Sequence, residues 1–216
     1  MNRTCSRLMT VLALLALTGC QSMYYKTMEK FGVEKRDIMV SRVKDARDSQ
    51  QDAKQEFANA LEQFKSVVSL KGGDLEAKYN KLSAALQRSE IRAGDVRSRI
   101  DAVEDVSEAL FREWKAELKQ YSNAEMRRSS EQQLADARDR YQELMAAMKK
   151  AESRIDPVLQ PLRDQVLFLK HNLNAKAIGS LTDEVAAVGA KVDDLIRDME
   201  ASIREADAFI ATLGKE

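Results

Sequence analysis

The fold of this chain is decided by residues 39–67, MVSRVKDARDSQQDAKQEFANALEQFKSV. Residues that are apolar, with the exception of Gln50, recur there in alternating steps of three and four, which is the spacing of a heptad seam along an α-helix. A helix from Met39 to Lys71 would be about 50 Å long, so we expect a rod rather than a globule. The predicted seam positions are Met39, Val43, Ala46, Gln50, Ala53, Phe57, Ala60, Phe64 and Val67.

Three later segments repeat this pattern. The chain has only two prolines and eight glycines in 216 residues and is rich in strong helix formers. No segment shows the alternation typical of a strand. We therefore predict an all-α fold, an elongated antiparallel coiled-coil-like bundle of three or four long helices. The later seams are Leu75, Tyr79, Leu82, Leu86, Ser89, Ala93, Val96, Ile100 and Val103; then Leu134, Ala137, Tyr141, Leu144, Met148, Ala151 and Ile155; then Leu181, Val185, Val188, Val192, Leu195, Met199, Ser202, Ala206, Phe209 and Leu213.

Breaker residues predict where the chain turns. Gly72-Gly73 before Asp74 indicates a helix stop followed by an N-cap, so the first two helices should form a hairpin. Asp156-Pro157 suggests another turn, with Asp156 as the cap and the proline at the first helical position. Gly179-Ser180 is a weaker break that a long helix could run through at a cost of about 1 kcal/mol.

Residues 122–133 contain no breaker, but they are polar and the seam changes phase there. Two arrangements fit this segment. The chain could turn near Ser122-Asn123, which gives four helices, or one helix could run from Asp74 to Ile155. We favour the turn.

The first twenty residues resemble a bacterial lipoprotein signal. Arg3 and Arg7 form a basic region, residues 8–17 are apolar but too few to span a bilayer, and Leu17-Thr18-Gly19-Cys20 has the form of a lipobox. A Cys thiol can carry a diacylglycerol thioether, and two or more acyl chains anchor a protein stably without a transmembrane helix. We predict a signal peptide at 1–19 and lipidation at Cys20. Gln21 is not the Asp of an inner-membrane retention signal, which favours the outer membrane facing the periplasm.

Residues 20–32 are predicted to be a membrane-proximal tether ahead of a helical bundle at 33–216. Its aromatic and apolar side chains have lysines beside them, a composition suited to a bilayer interface. They could equally begin the bundle core. The residues in question are Tyr24, Tyr25, Met28 and Phe31.

Charge and motif content argue against several function classes. The chain has 35 basic and 35 acidic residues, and loss of residues 1–19 would remove only Arg3 and Arg7, so there is no basic excess for nucleic acid. His171 is the single histidine, no nucleophile motif accompanies it, and no phosphate-binding loop is present. We expect no catalytic residue, no metal site and no cofactor, and therefore not an enzyme.

One apolar run exceeds what a single seam can cover. Residues 166–169, Val-Leu-Phe-Leu, step about 100° each and so surround most of a helix. If Val166 and Leu169 continue the core, Leu167 and Phe168 either pack against a second helix of the same chain or face outward as an interface. The candidate interface residues are Leu167, Phe168, His171, Asn172 and Asn174.

Several of these stretches carry a resemblance to a known family. The lipobox, the segment Tyr24-Tyr25-Lys26-x-Met28-Glu29-Lys30-Phe31-Gly32, the Asp156-Pro157-Val158-Leu159 stretch and VLFLKHNLNAKAI at 166–178 resemble an uncharacterised family of bacterial lipoproteins, domain of unknown function 2959. The resemblance covers nearly all of the chain after the signal. It implies helical architecture and an envelope location, but no activity.

Together these features predict a lipid-anchored structural or interaction protein of the cell envelope without catalytic activity. It would hold to the membrane through acylated Cys20 and meet an envelope protein or copies of itself, but not nucleic acid. Two alternatives remain open: a membrane-binding or membrane-shaping helical module, and a periplasmic accessory subunit of an envelope enzyme or transport complex.

Overall fold

The computed structural model describes residues 34–69, 75–174 and 178–213. The lipobox, the tether and the Gly72-Gly73 turn therefore lie outside the described residues. Five α-helices are defined, and no strand occurs among the described residues. They are α1 (Lys35–Val68), α2 (Leu75–Glu117), α3 (Ala124–Ser153), α4 (Ile155–His171) and α5 (Thr182–Leu213), with a 3-10 turn at Leu118–Gln120 after α2. The predicted all-α bundle is confirmed.

Ion pairs between helices define their directions. Lys35 at the start of α1 pairs with Glu113 near the end of α2 (2.9 Å), whereas Glu56 late in α1 pairs with Arg88 early in α2 (3.0 Å). The two helices are therefore antiparallel.

The last helix is also antiparallel to the first. Arg47 of α1 pairs with Asp207 (2.9 Å), and Lys54 pairs with Glu200 (3.2 Å), so one partner number rises as the other falls. Trp114 late in α2 bonds to Ser130 early in α3, and Asp101 earlier in α2 pairs with Lys149 late in α3, so these helices are antiparallel too. Since α3 also packs against α5, the chain runs up, down, up and down around one core.

The heptad seams form that core. All nine positions predicted on α1 are buried, including Phe57 and Phe64, which have no exposed surface. On the other seams, all predicted positions are buried except five that are half-buried: Leu75, Tyr79, Tyr141, Val185 and Leu213. The spacing in the sequence therefore identified the packed face of every long helix.

The chain does turn near Ser122-Asn123, which is the arrangement that we favoured from the sequence. The Asn123 side chain accepts hydrogen bonds from the backbone N–H groups of Glu125 (2.8 Å) and Met126 (3.1 Å), which makes it the N-cap of α3. The arrangement with one helix from Asp74 to Ile155 is wrong. Within a continuous helix the N–H groups of Glu125 and Met126 would bond to backbone oxygens, whereas at the start of a new helix they need the Asn123 side chain.

The prediction at Asp156-Pro157 needs correction. The chain does not turn back there, and Asp156 lies inside the first turn of α4 rather than capping it. Asp101 of α2 pairs with Lys149 of α3, and earlier residues of α2 pair with α4: Arg97 with Asp156, and Glu90 with Arg163. The partner number rises steadily as the α2 number falls, so α4 runs in the same direction as α3. Pro157 has no N–H, but an N–H in the first turn of a helix has no partner within that helix. A helix can therefore resume after Arg154 and continue in the same direction.

The junction between α3 and α4 is fixed to α5 by Asp198. This carboxylate is nearly buried and pairs with Lys150 (2.8 Å) and Arg154 (3.1 Å). The Lys150 ammonium, helped by the Arg154 guanidinium, holds the pKa of Asp198 below its ordinary value despite burial.

The middle of the core contains a polar position. Gln50 occupies a seam position of α1 and is fully buried, and neither its amide nitrogen nor its oxygen has a hydrogen-bond partner among the described residues. The buried hydroxyl of Ser202 on α5 is unpartnered in the same sense. Such groups lose their hydration on folding without replacement, which costs about 1–3 kcal/mol each.

We predict that Asp198→Asn lowers the free energy of unfolding by about 1–2 kcal/mol at pH 7, because both cations lose their partner. Since the folded pKa of Asp198 is depressed, its contribution is present above the ordinary Asp pKa near 4 and is lost as pH falls below it. Urea unfolding at pH 7 and pH 3 should therefore show a smaller difference between the two proteins at pH 3. An equal difference at both pH values would contradict the assigned ion pairs.

We also predict that Gln50→Met raises the free energy of unfolding by about 1–2 kcal/mol, because it retains the side-chain length and removes unpartnered polar atoms. Gln55→Met, at an exposed position of the same helix, is the control and should change stability little. Thermal unfolding measures both. A loss of stability in Gln50→Met would show that the amide is satisfied in the folded protein.

Candidate functional site

The antiparallel bundle has two different ends. The proximal end comprises the start of α1 at Lys35, the α2–α3 connection at 118–123 and the end of α5 at Leu213. The distal end comprises the end of α1 at Val68, the end of α4 at His171 and the start of α5 at Thr182. A chain coming from Cys20 enters at the proximal end. The 34 residues of α1 separate the two ends by about 50 Å.

An exposed apolar patch lies beside the distal end. Leu167 is 61% exposed and Phe168 is 40% exposed, whereas the next residue of α4, Leu169, is fully buried. Packing of Leu167 and Phe168 inside the monomer, one of the two sequence-based alternatives, is therefore wrong. Leu162 and Leu169 occupy the stripe of α4 that faces α2 and α5, so the run places its other residues on the outside. We call Leu167 and Phe168 the distal patch.

The polar residues predicted around the patch have different environments. His171 is exposed at the last position of α4, and Asn174 is exposed in the segment that follows. The side-chain amide of Asn172 donates to the backbone oxygen of Phe168 (3.1 Å), so Asn172 stabilises the end of α4. This hydrogen bond gives Asn172 a structural role within its own chain. The interface at Leu167 and Phe168 stays a prediction.

The proximal end contains a pocket of about 240 Å³ between α1, α2 and α5. Lys35 donates to Glu113 across it, and Arg36 donates to the backbone oxygen of Leu213, which caps the end of α5. The pKa of Glu117 is raised, mainly by partial desolvation of its carboxylate and to a smaller extent by the negative charges of Glu113 and Glu34. The residue as a whole is exposed. The pocket is thus lined by three carboxylates, Glu34, Glu113 and Glu117, and by two cations, Lys35 and Arg36.

A wider groove of about 580 Å³ lies on the outside, between α2 and α3. The rings of Phe111 and Tyr141 meet edge to face, with centroids 5.4 Å apart and an interplanar angle of 71°. The Arg138 guanidinium lies 5.4 Å from the centroid of Phe111. Arg112 and Lys115 also line the groove, and neither forms an ion pair with another described residue. We call this the basic groove.

Sequence reasoning missed the basic groove. Arg112 and Lys115 lie on α2, whereas Arg138 and Tyr141 lie on α3, and nothing in a neutral chain rich in charges marks these four as neighbours. The sequence predicted an antiparallel bundle with a turn near Ser122-Asn123, but not the register that brings Phe111 opposite Arg138.

No further chemical site emerges from the described part of the chain. Within 34–69, 75–174 and 178–213, no group of three or more His, Cys, Asp or Glu side chains could hold a metal ion. Among these helices none is both long and apolar enough to cross a membrane. The predicted lipidation, sorting and tether residues lie outside the described residues; they are Cys20, Gln21, Tyr24, Tyr25, Met28 and Phe31.

A comparison with known protein families identifies the family of this chain. No curated protein matches the chain. A profile described as "Protein of unknown function (DUF2959)" matches residues 24–213, which include every described helix. The chain therefore belongs to the DUF2959 family.

Proposed function

We propose that this protein is a lipid-anchored structural or interaction protein of the cell envelope, without catalytic activity of its own. Acylated Cys20 would hold it to the outer membrane on the periplasmic side, and the bundle would carry an interaction surface away from that membrane. Its mechanism is positional, because the anchor and the surface are joined by a stiff body.

The observation that carries this proposal is the placement of the distal patch. The tether from Cys20 reaches the bundle at Lys35, and Leu167 and Phe168 lie at the opposite end, about 50 Å away along α1. An exposed Leu beside an exposed Phe at that end suits contact with a protein rather than with the anchoring membrane.

The rigidity of the body supports a positional role. The long helices are joined along their length by the buried seams, and by ion pairs at the proximal end and in the middle, such as Lys35 with Glu113 and Lys54 with Glu200. A body of this kind transmits position over its whole length. The sequence adds a lipobox and lacks a nucleophile motif.

We predict that Cys20→Ser prevents acylation and leaves the precursor uncleaved, because the thioether requires the thiol. Gln21→Asp should shift the protein toward the inner membrane. Metabolic labelling with a fatty acid and density-gradient fractionation measure the two effects. Normal processing and membrane retention of Cys20→Ser would refute the anchor, and an unchanged gradient for Gln21→Asp would refute the sorting argument alone.

We predict that Phe168→Glu weakens association while leaving the melting temperature almost unchanged, because Phe168 is already exposed. The matched control is Leu169→Glu at the next position, which buries an unpaired charge and should destabilise the bundle by several kcal/mol. Light scattering gives the oligomer mass, and cross-linking in cells detects a partner at the patch. If Phe168→Glu changes neither, the distal patch is not an interface.

A further inference from the structure

We infer that the proximal end makes a second contact with the membrane, in which the basic groove and the α2–α3 tip bind anionic phospholipid headgroups. The tip is defined as residues 118–128. This inference rests on the proposed anchoring through Cys20 for the place of the membrane, but the binding chemistry stands on the described residues alone.

The tip extends past the rest of the bundle. Lys35 is the first residue of α1 and pairs with Glu113, while α2 and its 3-10 turn continue to Gln120. The eight residues that follow Glu113, up to Tyr121, add about 12 Å along the bundle axis. At the same end, α5 stops at Leu213, whose backbone oxygen is held by Arg36. The tip is therefore the outermost described part of the molecule on the side from which the tether arrives.

The tip exposes side chains suited to a bilayer interface. Met126 is 58% exposed and Tyr121 is 37% exposed, so two of the few large apolar side chains on the described surface lie here. Lys119 and Arg128 are exposed beside them without an ion pair to another described residue. Tyrosine and basic residues together favour the headgroup region of a membrane.

The basic groove supplies a binding site for an anion next to the tip. Arg112, Lys115 and Arg138 line it, and Glu108 is the only carboxylate among its lining residues. Phe111 and Tyr141 form an apolar floor under these cations. A phosphodiester with the first carbons of its glycerol would find both a positive rim and an apolar surface there. The pocket on the other side of α2 lacks this excess, because Glu34, Glu113 and Glu117 line it with Lys35 and Arg36.

The length of the tether permits both contacts at once. Between Cys20 and Lys35 there are 14 residues, which can span at most about 50 Å. That distance exceeds the roughly 12 Å by which the tip extends beyond Lys35. With the anchor in place, the local concentration of lipid at the groove is high, so even weak headgroup binding would hold the bundle in one orientation.

Vesicle flotation tests this binding without the anchor. The protein is residues 20–216 with Cys20→Ser, which retains every described residue, and the vesicles contain either phosphatidylcholine alone or phosphatidylcholine with phosphatidylglycerol. We expect binding only to the anionic vesicles, reduced by added salt. Each lysine or arginine near an anionic surface contributes about fivefold in affinity, so Arg112→Gln with Lys115→Gln and Arg138→Gln should weaken binding more than tenfold.

The matched control neutralises as many exposed cations elsewhere. Lys81→Gln with Lys191→Gln and Lys170→Gln removes the same charge from positions away from the proximal end. This variant should bind like the parent protein, and circular dichroism should show that both triple variants keep the parent's helicity and melting temperature. Equal loss in both triple variants, or no loss in the groove variant, would overturn the inference.

Trp114 provides a second readout, because it is the only tryptophan and lies on α2 between Arg112 and Lys115 of the basic groove, with its side chain lining the neighbouring proximal pocket. Its indole N–H donates to Ser130 on α3 (2.8 Å), so it reports on this end of the bundle. Brominated phosphatidylglycerol should quench its fluorescence in the parent and control proteins but not in the groove variant. Binding without quenching would place the lipid contact elsewhere and reject the site.

The outcomes separate this inference from the proposed function. If Cys20→Ser is processed normally in cells while vesicles still bind and quench Trp114, the anchor fails and the lipid site remains. If acylation is confirmed and the unanchored protein ignores anionic vesicles, the anchor remains and the lipid site fails.

Discussion

The structure depends on the burial of one continuous seam on each long helix. A helix in a folded protein gains most of its stability by packing its apolar stripe, and here each stripe is covered by the stripes of its neighbours. Phe57 and Phe64 of α1 are fully enclosed, and the small residues Ala46, Ala53 and Ala60 let the other helices approach between them. Because these contacts recur along the whole length, the bundle is long and stiff rather than globular.

Polar groups select among the ways in which such seams could pack. Asp198 pairs with Lys150 near the end of α3 and with Arg154 at the α3–α4 junction, which favours one alignment of α5 against the joined helix. Gln50 and Ser202 lie in the core without partners among the described residues and reduce stability. Buried polar groups at seam positions are a known means of specifying register, at a cost in stability.

The arrangement of the helices also separates chemistry along the rod. The chain as a whole is neutral, yet its proximal end has a groove with an excess of cations and its distal end exposes Leu167 and Phe168. A neutral total charge therefore does not exclude a local attraction to anionic lipid. In the proposed function, the two ends serve two contacts, one with the membrane and one with a protein.

The sequence by itself determined the helices and their buried faces, because a heptad spacing has only one stripe that can be packed. It also indicated the turn near Ser122-Asn123 and the excess of apolar surface at 166–169. It could not decide the direction of the chain after Asp156-Pro157, since a proline in a first turn is compatible with both a reversal and a continued helix. Whether Phe168 faces inward or outward, and which cations of α2 and α3 meet over Phe111, depended on the register of helices that are distant in sequence. Only the tertiary structure decided these points, because register is set by contacts between the elements and not within any one of them.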